Sequence, residues 1–428
     1  MFNWYREGTA RERRTFWACY SGWALDSYDV QIFSFLLPTL MGLWALTKAE
    51  VGLIGTAALL SAAAGGWIAG ILSDRFGRVR ILVFTVMWFT FWGVIAGFAQ
   101  GYYQLMAARV LQGFGFGGEW AVGAALMAEV INPKHRGKAI GFVQSGFSVG
   151  WLCAAIVAIT ILGHFEPDLA WRMAFWISAV PAVIILILRR GVEESGAFQK
   201  VAQRDTEKAS FATVFKPRHL RMTILTSLMV LGIQAAAYVV VVWMPTLIVE
   251  RGAQSGSQLL TISVMAVGTF CGFVLTSFLA DHWGRRPTLL FMSVMSWAVT
   301  VLYMMLPLDP VLAQVLGFVV GAGTIGMFAA VGPFLSELFP TEVRTTCMGF
   351  SYNFGKTIGA LCITGVGVLA AHIGLAQSIA ACVFVAYALA CVALLLLPET
   401  KGRDLETLTA DAEPMAPERH DLEVSVSR

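Results

Sequence analysis

Residues 74–78 read Asp-Arg-Phe-Gly-Arg, and residues 281–285 repeat the pattern as Asp-His-Trp-Gly-Arg, 207 positions later. Each copy lies between two long apolar runs, which predicts a tight hairpin between two membrane helices. The pair Glu129 and Arg136 also returns, as Glu337 and Arg344, at an offset of 208. A membrane chain built from two similar halves is typical of transporters that rock one half against the other.

The composition indicates that lipid surrounds most of the chain. Apolar residues make up 57% and charged residues 13%, and the mean hydropathy is +0.70. Soluble domains carry about 25% charged residues. Each span needs about 20 apolar residues. The sequence predicts twelve spans, near 16–40, 49–73, 80–99, 102–129, 139–163, 171–189, 221–249, 258–280, 288–306, 310–334, 345–371 and 374–397.

The basic residues predict the orientation. With the N-terminus inside, 25 of the 30 Lys and Arg residues fall on the cytoplasmic side and three fall in outer loops, at Lys48, Arg172 and Arg251. The remaining two, Arg109 and Lys356, lie within spans. The positive-inside rule therefore predicts cytoplasmic termini. We expect a bacterial cytoplasmic (inner) membrane, and no nucleic-acid partner, because the basic residues read as topology signals.

The repeat divides the chain into four parts. Residues 1–190 and 221–402 are predicted to form two six-helix bundles, joined by a polar cytoplasmic linker at 191–220. Residues 403–428 carry Glu, Asp, Pro and Ser with little to bury, which predicts a disordered cytoplasmic tail.

Two motifs associated with enzymes are read here as helix-packing sites. The glycines at 113, 115 and 118 match a dinucleotide fingerprint, but they lie inside a span with no preceding strand. Gly146, Ser148 and Gly150 match a hydrolase motif, yet they too lie within an apolar helix. The seven cysteines show no metal spacing. We therefore expect no enzyme activity, no cofactor and no metal.

Several motifs resemble those of the major facilitator superfamily, over about residues 16–406. They are the loop at 70–80, the Arg-Val-Leu-Gln-Gly run at 109–113 and the Pro-Glu-Thr-Lys-Gly run at 398–402. The resemblance implies an all-α membrane protein with twelve transmembrane helices in two pseudo-symmetric six-helix bundles. The Leu-Asp-Ser-Tyr-Asp run at 25–29 looks like the paired-aspartate motif of organic-acid/proton symporters, and 117–120 and 146–150 add similarity to the sialate/lactate and metabolite groups.

Charged residues inside spans are the candidates for transport chemistry. An ionisable group at the centre of a bilayer costs about 2.5–3.5 kcal/mol on insertion scales, so it faces a cavity or a partner. Five such residues are predicted, Asp26, Asp29, Arg109, Glu119 and Lys356. At about 1.5 Å per helical residue, Asp26, Glu119 and Lys356 share one level roughly 15–18 Å from the cytoplasmic ends of their spans.

The acids are predicted to carry the proton. Asp26 and Asp29 are three residues apart and project from one helix face, so one of them can pair with Arg109 while the other lies level with Glu119. A buried carboxyl group takes up a proton more readily than an exposed one. We expect Asp29 and Glu119 to carry protons and Asp26 to orient them. The alternative is a static charge cluster that ties span 1 to span 4.

Lys356 is the sharpest indication of a substrate. Its half offers no deep acid, so it is predicted to bind a substrate carboxylate. The alternatives are that it snorkels towards the membrane surface or pairs with an acid of the other half such as Asp26. Arg109 is predicted either to contact substrate or to have a structural role. The resemblance favours the structural role, because the motif that contains Arg109 occurs in branches of the superfamily with unrelated substrates. Hydrogen bonds or an aromatic wall are expected from Tyr28, Gln31, Gln144, Gln234, Tyr238, Trp243, Tyr352 and Asn353.

Charged residues at the cytoplasmic rim are predicted to form a gate that holds this side shut in one conformation. The alternative is that the arginines act only as topology signals. That alternative does not explain why acidic residues recur at a fixed spacing from these arginines. The gating set is Asp74, Arg75, Gly77, Arg78, Glu129, Arg136, Asp281, Arg285, Arg286, Glu337 and Arg344.

The sequence thus predicts a secondary active transporter that imports a small organic anion, a carboxylate, by proton symport through alternating access. Its partners would be the anion, protons and the lipid bilayer, and we expect a monomer. A sugar/proton symporter or facilitator is the alternative, although the paired glutamines typical of span 7 in sugar porters are missing. A drug/proton antiporter fits less well, because span 5 lacks the glycine-proline motif of that group. A non-transporting membrane sensor would be expected to carry a larger cytoplasmic extension.

Overall fold

A computed structural model describes residues 3–131, 136–183, 215–252, 255–307, 309–339 and 343–401. Within these ranges the regular structure is entirely helical. Most of the predicted linker, residues 191–214, and the predicted tail, 403–428, lie outside the described ranges.

The first half contains six spans, preceded by a short helix at Asn3–Glu7. They are α1 (Ala10–Trp44), α2 (Lys48–Phe76), α3 (Arg78–Ala96), α4 (Tyr102–Val130), α5a (Arg136–Gln144) with α5b (Gly146–His164), and α6 (Pro167–Ile177). The fifth span was predicted as continuous. It breaks at Ser145, where i→i+3 hydrogen bonds from the amides of Ser145 and Ser148 replace the α-helical pattern.

The second half repeats this order. Its spans are α7 (Pro217–Glu250), α8 (Ser255–Trp283), α9 (Arg285–Met305), α10a (Pro310–Thr324) with α10b (Phe328–Leu338), α11 (Arg344–Ile373) and α12 (Leu375–Leu396). Helix α7 begins inside the region predicted as linker, because Pro217 occupies the first turn, where its missing N–H costs no hydrogen bond.

Each predicted span overlaps one or two of these helices, and nine spans in the described ranges are long and apolar enough to cross a membrane. Of the other three, α1 and α4 carry the buried charges Asp26, Asp29 and Arg109, and the region after α6 is described only to residue 183. The predicted all-α membrane fold of twelve helices is confirmed.

The repeated charged loop forms the two predicted hairpins. Helix α2 ends at Phe76 and α3 begins at Arg78, with Gly77 between them at φ +106°. Gly284 joins α8 to α9 in the same way, at φ +110°. A positive φ of this size favours glycine, which has no Cβ to clash with the backbone.

The two halves share backbone contacts as well as order. A Cβ atom at Gly113 of α4 would collide with the carbonyl oxygen of Ala58 on α2, and one at Gly321 of α10a would collide with the carbonyl oxygen of Met265 on α8. Both residue pairs are related by the repeat offset. Small residues let membrane helices approach closely, so the glycine motif is a helix-packing site, as predicted.

Candidate functional site

A small cavity lies where the two halves meet. Its volume is about 30 Å³, and its walls come from α1, α2 and α4 of the first half and α7 and α11 of the second. Small-molecule sites usually measure about 300–1,000 Å³, so this cavity is much smaller than a typical substrate site. The lining residues are Asp29, Val30, Phe33, Gly55, Ala58, Leu59, Arg109, Gly113, Phe116, Val242 and Ile363.

Asp29 is held in a closed hydrogen-bonded ring. The guanidinium Nη1 of Arg109 donates to Asp29 Oδ2 at 3.0 Å, and Gln112 Nε2 donates to Asp29 Oδ1 at 2.7 Å. Arg109 Nη1 also donates to Gln112 Oε1 at 2.6 Å, which closes the ring. The Asp29 and Arg109 side chains are each only 5% exposed. Both carboxylate oxygens thus have donors, and the buried charge is compensated.

Two aromatic rings contact the guanidinium group of this ion pair. The Arg109 guanidinium carbon lies 4.6 Å from the ring centroid of Phe33 on α1 and 5.8 Å from that of Phe175 on α6. A cation over an aromatic face is stabilised by the ring quadrupole. Arg109 therefore connects α1, α4 and α6, which suits a structural role for this residue within the first half.

Asp26 and Lys356 are the other two charged side chains that are buried in the described part of the structure. Asp26, on α1, is 1% exposed, and Lys356, on α11, is 9% exposed. The Lys356 Nζ lies 5.0 Å from the ring centroid of Phe116 on α4. Lys356 thus contacts an aromatic ring of the first half, beside the cavity that Phe116 lines.

The remaining predicted residues of the first half are placed differently. The backbone of Glu119 belongs to α4, but its side chain lies outside the described part of the structure. Tyr28 and Gln31 are buried, at 3% and 0% exposure, and neither lines the cavity. Gln144 ends α5a and is half-buried.

The predicted polar residues of the second half bond to one another or to backbone carbonyls of the same half. Tyr238 donates its hydroxyl to Gln234 Oε1 at 3.2 Å, and Gln234 Nε2 donates to the carbonyl of Tyr352 at 3.3 Å, which joins α7 to α11. Asn353 donates to the carbonyl of Gly349 within its own helix. Trp243 donates to the carbonyl of Ile363 at 3.1 Å and is fully buried. None of these five side chains lines the described cavity.

At the face that the charges predict to be external, here called the predicted outer face, the two halves are joined. Lys48 Nζ, at the start of α2, lies 2.7 Å from Glu250 Oε1 at the end of α7. Deeper, the Thr56 hydroxyl donates to the carbonyl of Ala360 at 2.7 Å and lies 2.8 Å from the hydroxyl of Thr364. These contacts tie α2 to α7 and α11.

The opposite face carries the predicted gate of the second half. Arg285 donates to Asp281 Oδ1 at 3.0 Å and to Glu337 Oε1 at 3.2 Å, which links the start of α9 to α8 and α10b. Glu399 accepts the backbone N–H groups of Arg285 and Arg286, both at 3.0 Å. The first amides of a helix have no partner within the helix, so a carboxylate that accepts them satisfies these donors and offsets the helix dipole.

The matching gate of the first half is described only in its backbone. Several predicted gating side chains lie outside the described part of the structure. They are Asp74, Arg75, Arg78, Glu129 and Arg136 of the first half and Arg344 of the second.

A larger groove of about 630 Å³ runs between α2 and α11. Leu53, Leu361 and Val368 line it, and all three are more than 40% exposed, so it faces the lipid. Among its lining residues the polar ones are two threonines and His372. It offers no fixed cation for an anion. Among the described residues, no cluster of His, Cys, Asp and Glu is placed to hold a metal ion.

Sequence reasoning missed several contributors to the site. Gln112 completes the ring around Asp29, and its spacing from Arg109, three residues along one helix, could have indicated a shared face. Phe116 contacts Lys356 through its ring, and no sequence signal singles it out among 29 phenylalanines. The Lys48–Glu250 pair joins residues that separately look like loop charges.

Comparison with known proteins gives relatives along nearly the whole chain. The probable 4-methylmuconolactone transporter of Cupriavidus pinatubonensis is 57% identical over 419 residues, which cover 97% of this chain and 98% of that protein. The cis,cis-muconate transport protein of Acinetobacter baylyi is 29% identical over 361 residues, covering 81% of this chain and 84% of that protein.

The fold is also shared with solved structures. The crystal structure of a D-xylose-proton symporter superposes with a TM-score of 0.75 at 19% identity, and the match covers 92% of this chain and all of that one. The model of the Major Facilitator Superfamily matches residues 20–364 and 260–417. The family and these relatives are transporters, which confirms that the chain is not an enzyme. The chain belongs to the major facilitator superfamily.

Proposed function

We propose that this transporter imports a small organic anion of the muconolactone type by proton symport through alternating access. The observation that carries the proposal is the 57% identity, over 97% of the chain, with a probable 4-methylmuconolactone transporter. A muconolactone is an unsaturated lactone with one carboxylate group. Another relative is a cis,cis-muconate transport protein, and cis,cis-muconate is an unsaturated acid of similar size with two carboxylate groups.

The site chemistry suits such an anion. Lys356 is a buried cation at the meeting point of the two halves, where transporters of this architecture bind substrate. The aromatic rings of Phe116 and Phe33 line the adjoining cavity and offer flat apolar surfaces to an unsaturated ring. In the proposed mechanism the carboxylate binds Lys356 and the ring lies against Phe116.

Movement of the halves completes the proposed cycle. The contacts of Lys48 with Glu250 and of Thr56 with Thr364 break when the predicted outer face opens, and the cavity widens to admit the anion. The Arg285 network and its counterpart in the first half act as the opposite gate. We propose that the protein works as a monomer in a bacterial inner membrane with both termini in the cytoplasm.

Transport into proteoliposomes under an inward proton gradient tests this function. The panel is 4-methylmuconolactone, cis,cis-muconate, benzoate and neutral xylose, with Lys356→Ala as the variant. The control is Lys216→Ala, because Lys216 is an exposed lysine just before α7. We expect acid uptake by the native protein and the control, and its loss in Lys356→Ala.

Other outcomes separate the alternatives. Uptake of xylose alone would overturn the organic-anion proposal in favour of a sugar symporter. Acid uptake that survives Lys356→Ala would keep the transport function and move the anion site elsewhere. Uptake of acids that ignores the proton gradient would contradict proton symport.

A further inference from the structure

The groove between α2 and α11 lies on the seam between the two halves. Its floor consists of contacts across that seam, since the Thr56 hydroxyl donates to the carbonyl of Ala360 at 2.7 Å and lies 2.8 Å from the hydroxyl of Thr364. Thr56 and Thr364 both line the groove. Leu53 of α2 and Leu361 of α11 form its rims and are 43% and 48% exposed. An occupant of this groove therefore contacts both halves at once.

A glycine keeps the groove open. A Cβ atom at Gly365, which lines the groove, would meet no atom within 4 Å. Two neighbouring glycines of the seam differ in this respect. A Cβ at Gly52 would lie 3.1 Å from the carbonyl oxygen of Ile363, and one at Gly367 would collide with the carbonyl oxygen of Lys48. Those two glycines allow α2 and α11 to approach closely, whereas Gly365 is not needed for helix packing and leaves space in the groove.

The groove is about as long as one leaflet of a bilayer is thick. Its lining on α11 extends from Leu361 to His372, eleven residues along the helix, or about 16 Å at 1.5 Å per residue. The hydrocarbon core of a bilayer is about 30 Å thick, so one leaflet contributes roughly 15 Å. His372 lies in the last turn of α11, at the predicted outer face. The groove therefore spans the hydrocarbon of the leaflet at that face.

The chemistry of the lining selects an acyl chain. Leucine, valine and alanine side chains form most of its walls, and the hydroxyls of Thr56 and Thr364 already have partners within the seam. An anionic substrate would lose its hydration here without meeting a fixed cation, which is unfavourable. At the outer end, the His372 ring carries an N–H group that a phosphate oxygen of a lipid head group can accept.

We propose that one acyl chain of a phospholipid, from the leaflet at the predicted outer face, binds in the groove between α2 and α11 with its head group beside His372. The chain covers the contact of Thr56 with Thr364, and the floor of the groove is lost when that contact breaks. The lipid thus binds the state with a closed outer face more tightly and stabilises it, as a ligand does for the state it prefers. This stabilising effect rests on the proposed alternating access, whereas the binding itself does not depend on it.

Photolabelling of the purified protein in mild detergent tests the binding. The probe is a phosphatidylethanolamine whose acyl chain carries a diazirine, and mass spectrometry of peptides locates the label. We expect label on residues 53–60 and 361–372, and little on the exposed apolar surface of α12 around Val385 and Leu395. Dipalmitoyl phosphatidylethanolamine should compete with the probe. Dihexanoyl phosphatidylethanolamine should not, because its chains are too short to fill the groove.

Gly365→Leu fills the groove without disturbing a helix contact, because a Cβ at that position meets open space. We expect this variant to lose the label in the groove. The matched control is Gly163→Leu, at an exposed glycine near the end of α5b where a Cβ also meets nothing within 4 Å, and it should be labelled like the native protein. His372→Ala should need about two- to tenfold more dipalmitoyl lipid for competition, which corresponds to the loss of one hydrogen bond.

The stabilising effect has its own measurement. Weaker lipid binding in His372→Ala should increase the labelling of a cysteine introduced at Val242, which lines the central cavity, by an impermeant maleimide added from outside proteoliposomes. Unchanged maleimide labelling would overturn the link between the lipid and closure of the outer face.

Measurements on the native protein guard against a variant that fails to fold. Equal photolabelling of the groove and of the α12 surface would show only the lipid that surrounds any membrane protein, and would overturn the proposal. Displacement of the probe by 4-methylmuconolactone would also overturn it, in favour of a substrate site. Label that persists in the groove of Gly365→Leu would have the same effect. The proposed function fails separately, if the groove is labelled but the protein transports none of the acids.

Discussion

The ammonium group of Lys48 lies 2.7 Å from the carboxylate of Glu250, across the boundary between the two halves. The two side chains are 24% and 39% exposed, so water screens the pair and it is worth about 0.2–1 kcal/mol. A contact of this strength can close the predicted outer face without locking it. The pair thus fits a contact that forms and breaks in each cycle.

Reversal of one charge in this pair should open that face. We expect Lys48→Glu to increase the labelling of a cysteine introduced at Val242, which lines the central cavity, about two- to fivefold with a membrane-impermeant maleimide added from outside. The double variant Lys48→Glu/Glu250→Lys should restore the native rate. Lys216→Glu with the same reporter is the control, and equal labelling in all variants would show that the pair does not influence closure.

Gln112 should matter for stability more than its neutral side chain suggests. Gln112→Ala leaves Asp29 Oδ1 without its 2.7 Å donor in a buried site, and an unsatisfied buried acceptor costs about 1–3 kcal/mol. We expect a lower midpoint of thermal unfolding in detergent and weaker transport. The control is Gln377→Ala on an exposed surface of α12. Equal midpoints for the two variants would mean that the ring around Asp29 has no stabilising role.

The glycines of the repeat should be equally sensitive in both halves. Gly113→Ala and Gly321→Ala each drive a methyl group into a carbonyl oxygen of a neighbouring helix, and overpacking of this kind costs about 1–3 kcal/mol. We expect both variants to unfold at lower temperature. The control is Gly163→Ala, because nothing lies within 4 Å of a Cβ at that position. A normal midpoint in either repeat variant would contradict the close approach there.

The sequence was sufficient for the fold because its strongest signals are repeated and local. The charged loops at 74–78 and 281–285 predicted both hairpins, and the structure places Gly77 and Gly284 at their turns. Hydropathy located the spans, although it missed the break at Ser145. That break depends on local hydrogen bonds, which leave the apolar pattern unchanged.

The site was harder to predict because its pairs depend on how the helices pack. Asp26 and Asp29 share a helix face, so spacing alone could not show which of them pairs with Arg109, and in the structure Asp29 does. The expectation that Asp29 and Glu119 carry protons stays a prediction. Pairs such as Lys48 and Glu250 join distant parts of the chain, and no local pattern predicts them.

The repeated glycine contacts carry an evolutionary consequence. An ancestral duplication explains why Gly113 and Gly321 meet equivalent carbonyl oxygens, since both copies inherited one backbone arrangement. The chemistry did not stay duplicated, because the acids Asp26 and Asp29 belong to one copy and Lys356 to the other. The same limit on side-chain size therefore falls on matched positions in both halves, whereas the buried charges differ between them.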